Sequence, residues 1–178
     1  MNQRRSFLRS SAVLASALSV PALAKAATAV PGERTLRLYN THTGESIRSV
    51  FWAEGQFIPE ALADINKLLR DHRNGKVAPI DPALLVMLEQ VSSKFSSNKV
   101  LHIISGYRSP ETNKLLAEQS NGVARHSMHL DGKAIDIRMP GTDLKQVHMA
   151  ALAVKGGGVG YYDKSQFVHM DTGRVRTW

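Results

Sequence analysis

An α+β domain, with a small and mainly antiparallel sheet on which helices pack, is predicted by three features of the sequence. Helical apolar spacing dominates residues 59–91, short runs of alternating apolar and polar residues gather toward the C-terminus, and 178 residues with 43% hydrophobic side chains suit one core. Helices come first and a compact sheet afterwards, an order that fits α+β better than a doubly wound α/β arrangement.

The chain begins with an address. Gln3-Arg4-Arg5-Ser6-Phe7-Leu8-Arg9 is a twin-arginine pattern, followed by the apolar run Ala12 to Leu23 and by the Ala-x-Ala triplets Ala22-Leu23-Ala24, Ala24-Lys25-Ala26 and Ala27-Thr28-Ala29. A charged start, a short apolar stretch and small residues at a cut site make a signal peptide. Residues 1–29 are therefore expected to direct twin-arginine export to the periplasm, leaving 30–178 as the functional domain. The apolar run is too short to span a bilayer comfortably, so no stable membrane insertion is expected.

Arg34 to Tyr39 alternates, Thr41-His42-Thr43-Gly44-Glu45 supplies a turn, and Ile47 to Trp52 completes a β-hairpin. Pro59 to Arg73 carries Leu62, Ile65, Leu68 and Leu69 at helical spacing; Asp81-Pro82 opens a second helix bearing Leu84, Leu85, Leu88 and Val91. Lys99 to Ser105 is β-rich and ends at Gly106. Ser109 and Pro110 then form a helix entry, with Ser109 as N-cap and Thr112 at the third helical position. Ala134 to Arg138 reads as a strand, Leu144 to Val154 as a helix broken by Gly156-Gly157-Gly158, and Val159 to Tyr162 and Phe167 to Met170 as two strands joined at Asp163-Lys164-Ser165.

Composition narrows the chemistry. The absence of cysteine rules out disulfides, thiolate zinc sites and cysteine nucleophiles, so any metal must be held by His, Asp or Glu. The net charge of +8 includes Arg4, Arg5, Arg9 and Lys25 of the signal; without them 19 basic side chains face 15 acidic ones. No basic helix or aromatic-basic module is present, and nucleic acid is not an expected partner. The sequence leaves the oligomeric state open.

The sharpest signal is Ser127-Met128-His129-Leu130-Asp131-Gly132-Lys133-Ala134-Ile135-Asp136, with Phe167-Val168-His169-Met170-Asp171 further on. Alternate side chains of a strand share a face. Ile135 and Ile137 then point to the core and Asp136 away from it; Val168 and Met170 point one way, and Phe167, His169 and Asp171 the other. If the two strands are neighbours, Asp136 and His169 converge, and His129 at the loop entering the first strand closes the set. Two imidazoles and one carboxylate leave the fourth position of a tetrahedral zinc to water, the arrangement of a hydrolytic site. Each residue also has an ordinary reading: a polar loop His, a buried hydrogen-bonding Asp, a structural strand His.

Ser-x-His-x-x-Gly-x-Ala-x-Asp followed by a C-terminal His is similar to the signature of the D-Ala-D-Ala metallopeptidase superfamily, which includes hedgehog-type zinc domains. Further motifs, from Leu38-Tyr39-Asn40-Thr41-His42-Thr43-Gly44-Glu45-Ser46 through Ile104-Ser105-Gly106-Tyr107-Arg108-Ser109 and Gly157-Gly158-Val159-Gly160-Tyr161-Tyr162 to Phe167-Val168-His169-Met170-Asp171-Thr172-Gly173, resemble its murein endopeptidases over nearly the whole mature chain. The resemblance implies zinc on His129, Asp136 and His169, and a peptidase acting on the peptide cross-links of peptidoglycan. It implies that Arg108 binds substrate or steadies an oxyanion, with Tyr107 and Ser127 beside it. Many relatives carry a Glu as general base three residues before the last His, where this chain has Gln166. Asp171 is then the first candidate base, or else a residue that orients a ligand imidazole, and His126 is the second candidate. A D,D- or L,D-carboxypeptidase and a zinc-containing wall-binding module without turnover are the alternatives. His42, His72, His102 and His148 are expected to be structural or exposed, Tyr161 and Tyr162 are candidates to line the cleft, and Trp52 and Trp178 are expected to pack.

Overall fold

A computed structural model describes residues 32–96, 99–119, 124 and 126–178. The signal segment 1–29 lies outside them. The elements are β1 (Arg34–Asn40), β2 (Ser46–Ala53), β3 (Gln56–Phe57), α1 (Pro59–Leu68), α2 (Pro82–Ser92), β4 (Leu101–Ser105), α3 (Pro110–Gln119), a 3-10 turn at Met128–Asp131, β5 (Ala134–Arg138), α4 (Leu144–Val154), β6 (Gly158–Tyr162), β7 (Phe167–Asp171) and β8 (Arg176–Thr177).

All eight strands join one sheet in the order β3-β2-β1-β4-β5-β7-β6-β8, with five antiparallel pairings and two parallel ones. The fold is α+β, as the sequence predicts, but the expected split into helices first and sheet afterwards does not hold. The N-terminal hairpin enters the same sheet because β1 pairs in parallel with β4, Leu38 opposite Leu101. That pairing gives the hairpin's inner residues Leu36, Leu38 and Phe51 a continuous core with Leu101, Ile103, Ile135, Ile137, Val168 and Met170. Helices α1, α2 and α4 cover this face.

Three carboxylates fix the helix ends that position the site. Helix α1 starts at Pro59 but ends at Leu68, short of the predicted Arg73. Just beyond it, buried Asp71 accepts hydrogen bonds from Arg73 N at 3.0 Å and Ser109 N at 2.9 Å, capturing backbone donors that would otherwise continue the helix or go unpaired. Asp71 thereby ties the entry of α3, next to Arg108, to the core. Ser109 Oγ accepts from Thr112 N at 3.2 Å as the predicted N-cap. At α2, Asp81 caps through Ala83 N at 2.9 Å, and its second oxygen accepts from the Thr172 hydroxyl at 2.8 Å just past β7. Asp143 caps α4 through Lys145 N at 2.7 Å. Among the described residues no helix is long and apolar enough to cross a membrane.

Candidate metal centre

Strand register brings two of the three predicted ligands together. β5 and β7 are antiparallel with Asp136 directly opposite His169, while their neighbours Ile135, Ile137, Val168 and Met170 are buried in the core on the other face. His129 arrives from the 3-10 turn. Ser127 caps that turn by accepting from His129 N, and Gly132 ends it in a left-handed conformation (φ 66). A side chain at Gly132 would sit 2.1 Å from Pro79 O, so the loop closes on the segment entering α2 only with glycine there.

One ligand atom from each of His129, Asp136 and His169 lies within 4.8 Å of the other two. Asp136 Oδ1 is 3.4 Å from His129 Nε2 and 2.8 Å from His169 Nδ1. Bonds of about 2.1 Å to a tetrahedral zinc imply ligand separations of roughly 3.4 Å. The triad therefore fits a small divalent ion. Hydrogen bonds on the far side of each ring decide which nitrogen faces inward. His129 Nδ1 lies 2.7 Å from Gly106 O, an atom that only accepts; Nδ1 must carry the proton, leaving Nε2 as the nitrogen free to ligate. His169 Nε2 lies 3.2 Å from Asp171 Oδ2, which leaves Nδ1 as the nitrogen free to ligate.

Charge is concentrated here under low exposure, with Asp136 7% exposed and Asp171 fully buried. Burial by itself would raise the Asp136 pKa, but His129 and His169 outweigh it and hold the carboxyl well below the usual range. Burial likewise works against the His169 cation, yet Asp136 and Asp171 together raise its pKa to about 9. Asp171 is lowered against its own burial by His169, Arg176 and the backbone of Gly173 and Gly158. Its two oxygens accept from Gly158 N (3.2 Å), Gly173 N (2.8 Å), Arg176 Nη1 (3.0 Å) and Arg176 Nη2 (2.7 Å).

Beside the triad opens a cleft of ≈ 250 Å³, walled by Arg108, His126 and Ser127 on one side and by Tyr162, Phe167, Arg176 and Trp178 on the other. Arg108 is held loosely, by Asn113 Oδ1 at 3.3 Å and Ser105 Oγ at 3.5 Å, and its buried Nε has no hydrogen-bond partner among the described residues. Burial lowers the Arg108 pKa, and Asp136 opposes that shift.

The profile of the family described as peptidoglycan L,D-endopeptidase MepK matches residues 28–178. The chain belongs to this family. It is 42% identical over 175 residues to the peptidoglycan L,D-endopeptidase MepK of Escherichia coli strain K12, covering 98% of this chain and 96% of that one, and equally so to its counterpart from Shigella flexneri. The probable peptidoglycan L,D-endopeptidase MepK of Haemophilus influenzae is 40% identical over 154 residues, covering 86% of this chain and 83% of the relative. No solved structure matches.

In this MepK-family chain two residues, Tyr107 and Trp178, depart from expectation, while Gln166 keeps the non-catalytic place expected of it. Tyr107 does not line the cleft: its backbone N–H is pinned to Leu69 O at 2.8 Å, and its ring packs against the core. Gln166 is tied into the β6–β7 turn through its side-chain donor to Asp163 O at 2.6 Å, exposed and away from the triad. Trp178 is part of the cleft wall rather than a packing residue. It lies 5.3 Å from the His169 ring, donates from Nε1 to the Tyr162 hydroxyl at 2.9 Å and stacks under the Arg176 guanidinium at 4.8 Å. A side chain at Gly160 would meet the Trp178 ring at 2.6 Å. That glycine inside a predicted strand was the available signal of a close approach. The two-residue strand that carries Arg176 had none.

Proposed function

We propose that the chain is a zinc peptidase that hydrolyses an L,D bond in the peptide cross-links of peptidoglycan, working in the periplasm after export directed by the twin-arginine signal of residues 1–29, with 30–178 as the catalytic domain. The observation that carries this is the convergence of His129, Asp136 and His169 in a cleft whose wall presents Arg108. The donor set, two nitrogens and one oxygen, suits zinc and leaves a position for solvent. When bound, the ion supplies Lewis acidity and a water acidic enough to act at neutral pH. The designation of the relatives as L,D-endopeptidases supports the choice of bond and of endopeptidase over carboxypeptidase.

The protein's own groups have distinct roles in this reading. Arg108 offers its fork to the scissile carbonyl, or to a neighbouring carboxylate, as negative charge develops. Ser127 shapes the loop that delivers His129 and borders the same cleft. Asp171, saturated by five donors and fully buried, orients His169 rather than exchanging protons with substrate. Proton transfer then falls to His126, which lines the cleft outside the ligand set.

The test is zinc analysis of the mature protein together with digestion of purified sacculi, followed by separation of the muropeptides. About one zinc per chain and loss of cross-linked dimers are expected, with both abolished in His169→Ala. Metal-free protein that still cleaves, or shortened stems with dimers intact, would overturn the assignment.

A further inference from the structure

The face of the sheet opposite α1, α2 and α4 carries a second feature beside the triad. On β5, Asp136 and Arg138 share this face two residues apart, about 7 Å. Arg138 is paired with His102 on β4, and His102 with Tyr39 on β1, whose rings lie 4.7 Å apart. Two residues back along β1, Arg37 stands directly opposite Arg48 of β2. The row runs from the cleft toward the hairpin over three strand intervals, about 14 Å.

Like charges placed directly across a strand pair are destabilising, and Arg37 stands opposite Arg48 with no ion pair to either among the described residues. Among the described residues, no side chain forms a hydrogen bond or ion pair with the guanidinium of Arg37, Arg48 or Arg138. Arg34, Arg70 and Arg176, by contrast, each hold a carboxylate. No acidic side chain lies on this face of β1, β2 or β4, and Asp136 at the triad is the sole acid on it in β5. Between Arg37 and Arg48 lies a hollow of ≈ 210 Å³ bordered by Ser46 and Val100.

We infer that this face, from Arg138 past His102 and Tyr39 to Arg37 and Arg48, is a docking track for the polymeric substrate, engaging carboxylates of stem peptides beyond the bond that is cut. The inference rests on the peptidoglycan reading above. Charge complementarity supports it, since the stem peptides are rich in free carboxylates, and so does continuity, since the same strand that carries Asp136 carries Arg138. The track makes the protein prefer sacculi to small soluble fragments, with a preference that weakens as salt screens it.

The test compares an Arg37→Gln/Arg48→Gln double variant with an Arg37→Lys/Arg48→Lys control. Binding is read by co-sedimentation with intact sacculi in a His169→Ala background, where turnover plays no part; cleavage is read on sacculi and on a purified cross-linked muropeptide dimer. The Gln pair is expected to lose tenfold or more of sacculus binding at low salt and a comparable share of sacculus digestion. Dimer cleavage should change less than twofold, and the Lys pair should retain most of the binding. Undiminished sacculus binding by the Gln pair overturns the track, as does an equal fall in dimer cleavage or a preference of the wild-type face for anionic lipid vesicles over sacculi. If wild type cleaves neither substrate, the enzymatic reading fails while the binding arm still decides the track.

Discussion

The two faces of the sheet are built from the same strands under opposite rules. Ile135, Ile137, Val168 and Met170 are wholly buried beneath helices, whereas Asp136 and His169, one residue away on either strand, face a cleft with arginines. Strand alternation thus lets one short segment contribute to stability on one side and to chemistry on the other. The two contributions should separate on substitution.

The largest separation is predicted within three residues of β5. Asp136→Asn keeps the shape of the side chain but removes the charge that faces both imidazoles, and is expected to abolish metal binding, a loss beyond the ~100-fold typical of residues behind the ligands. Ile135→Ala should cost about 2–5 kcal/mol of stability through the cavity it leaves, with zinc content and turnover per folded molecule unchanged. Chemical denaturation alongside zinc titration reads both. Equal loss of zinc in the two variants would mean that the faces are not independent.

A smaller effect is expected one layer behind the metal. Arg176 supplies two hydrogen bonds to Asp171, at 3.0 and 2.7 Å, and Asp171 holds His169. Arg176→Met leaves Asp171 buried with its backbone donors but without its counter-charge. Zinc affinity, measured by competition with a chromogenic chelator, should fall about 10–100-fold, and Arg176→Lys should recover part of it. An unchanged affinity in Arg176→Met would reduce the C-terminal strand to a wall of the cleft.

What could be read in the sequence follows from the range of its signals. The phasing of Ile135-Asp136-Ile137 against Val168-His169-Met170 is local, so the meeting of Asp136 and His169 was legible, as were the Asp81 and Ser109 caps. The parallel pairing of β1 with β4 joins residues more than sixty apart and leaves no periodic trace, which hid the single sheet and the cationic row on its open face. β8 is two residues long, too short for any pattern, and so Arg176 was missed. The end of α1 was misplaced because Leu69 continues the apolar spacing while Asp71, by capturing Arg73 N, stops the helix.

The smallest predicted effect concerns pH and tests whether metal and proton compete for one place. In the metal-free protein the His169 pKa stands at about 9, above its ordinary 6.5, so its contribution to stability is complete below pH 6.5 and lost as pH rises through 9. Asp136 and Asp171 are lowered from 3.8, and their contribution is present above that value and lost as pH falls through the folded one. Metal-free protein should therefore be most stable between about pH 4 and 6.5 and decline toward pH 9. If His169 Nδ1 held the zinc, it would give up the proton it otherwise shares with Asp136, so the loaded protein should lose little over the same interval. The rise in Tm on adding zinc should consequently be larger at pH 9 than at pH 6, measured with and without chelator. An equal rise at both would place the metal away from His169, because a ligand that displaces no proton has no reason to bind more tightly as protons become scarce.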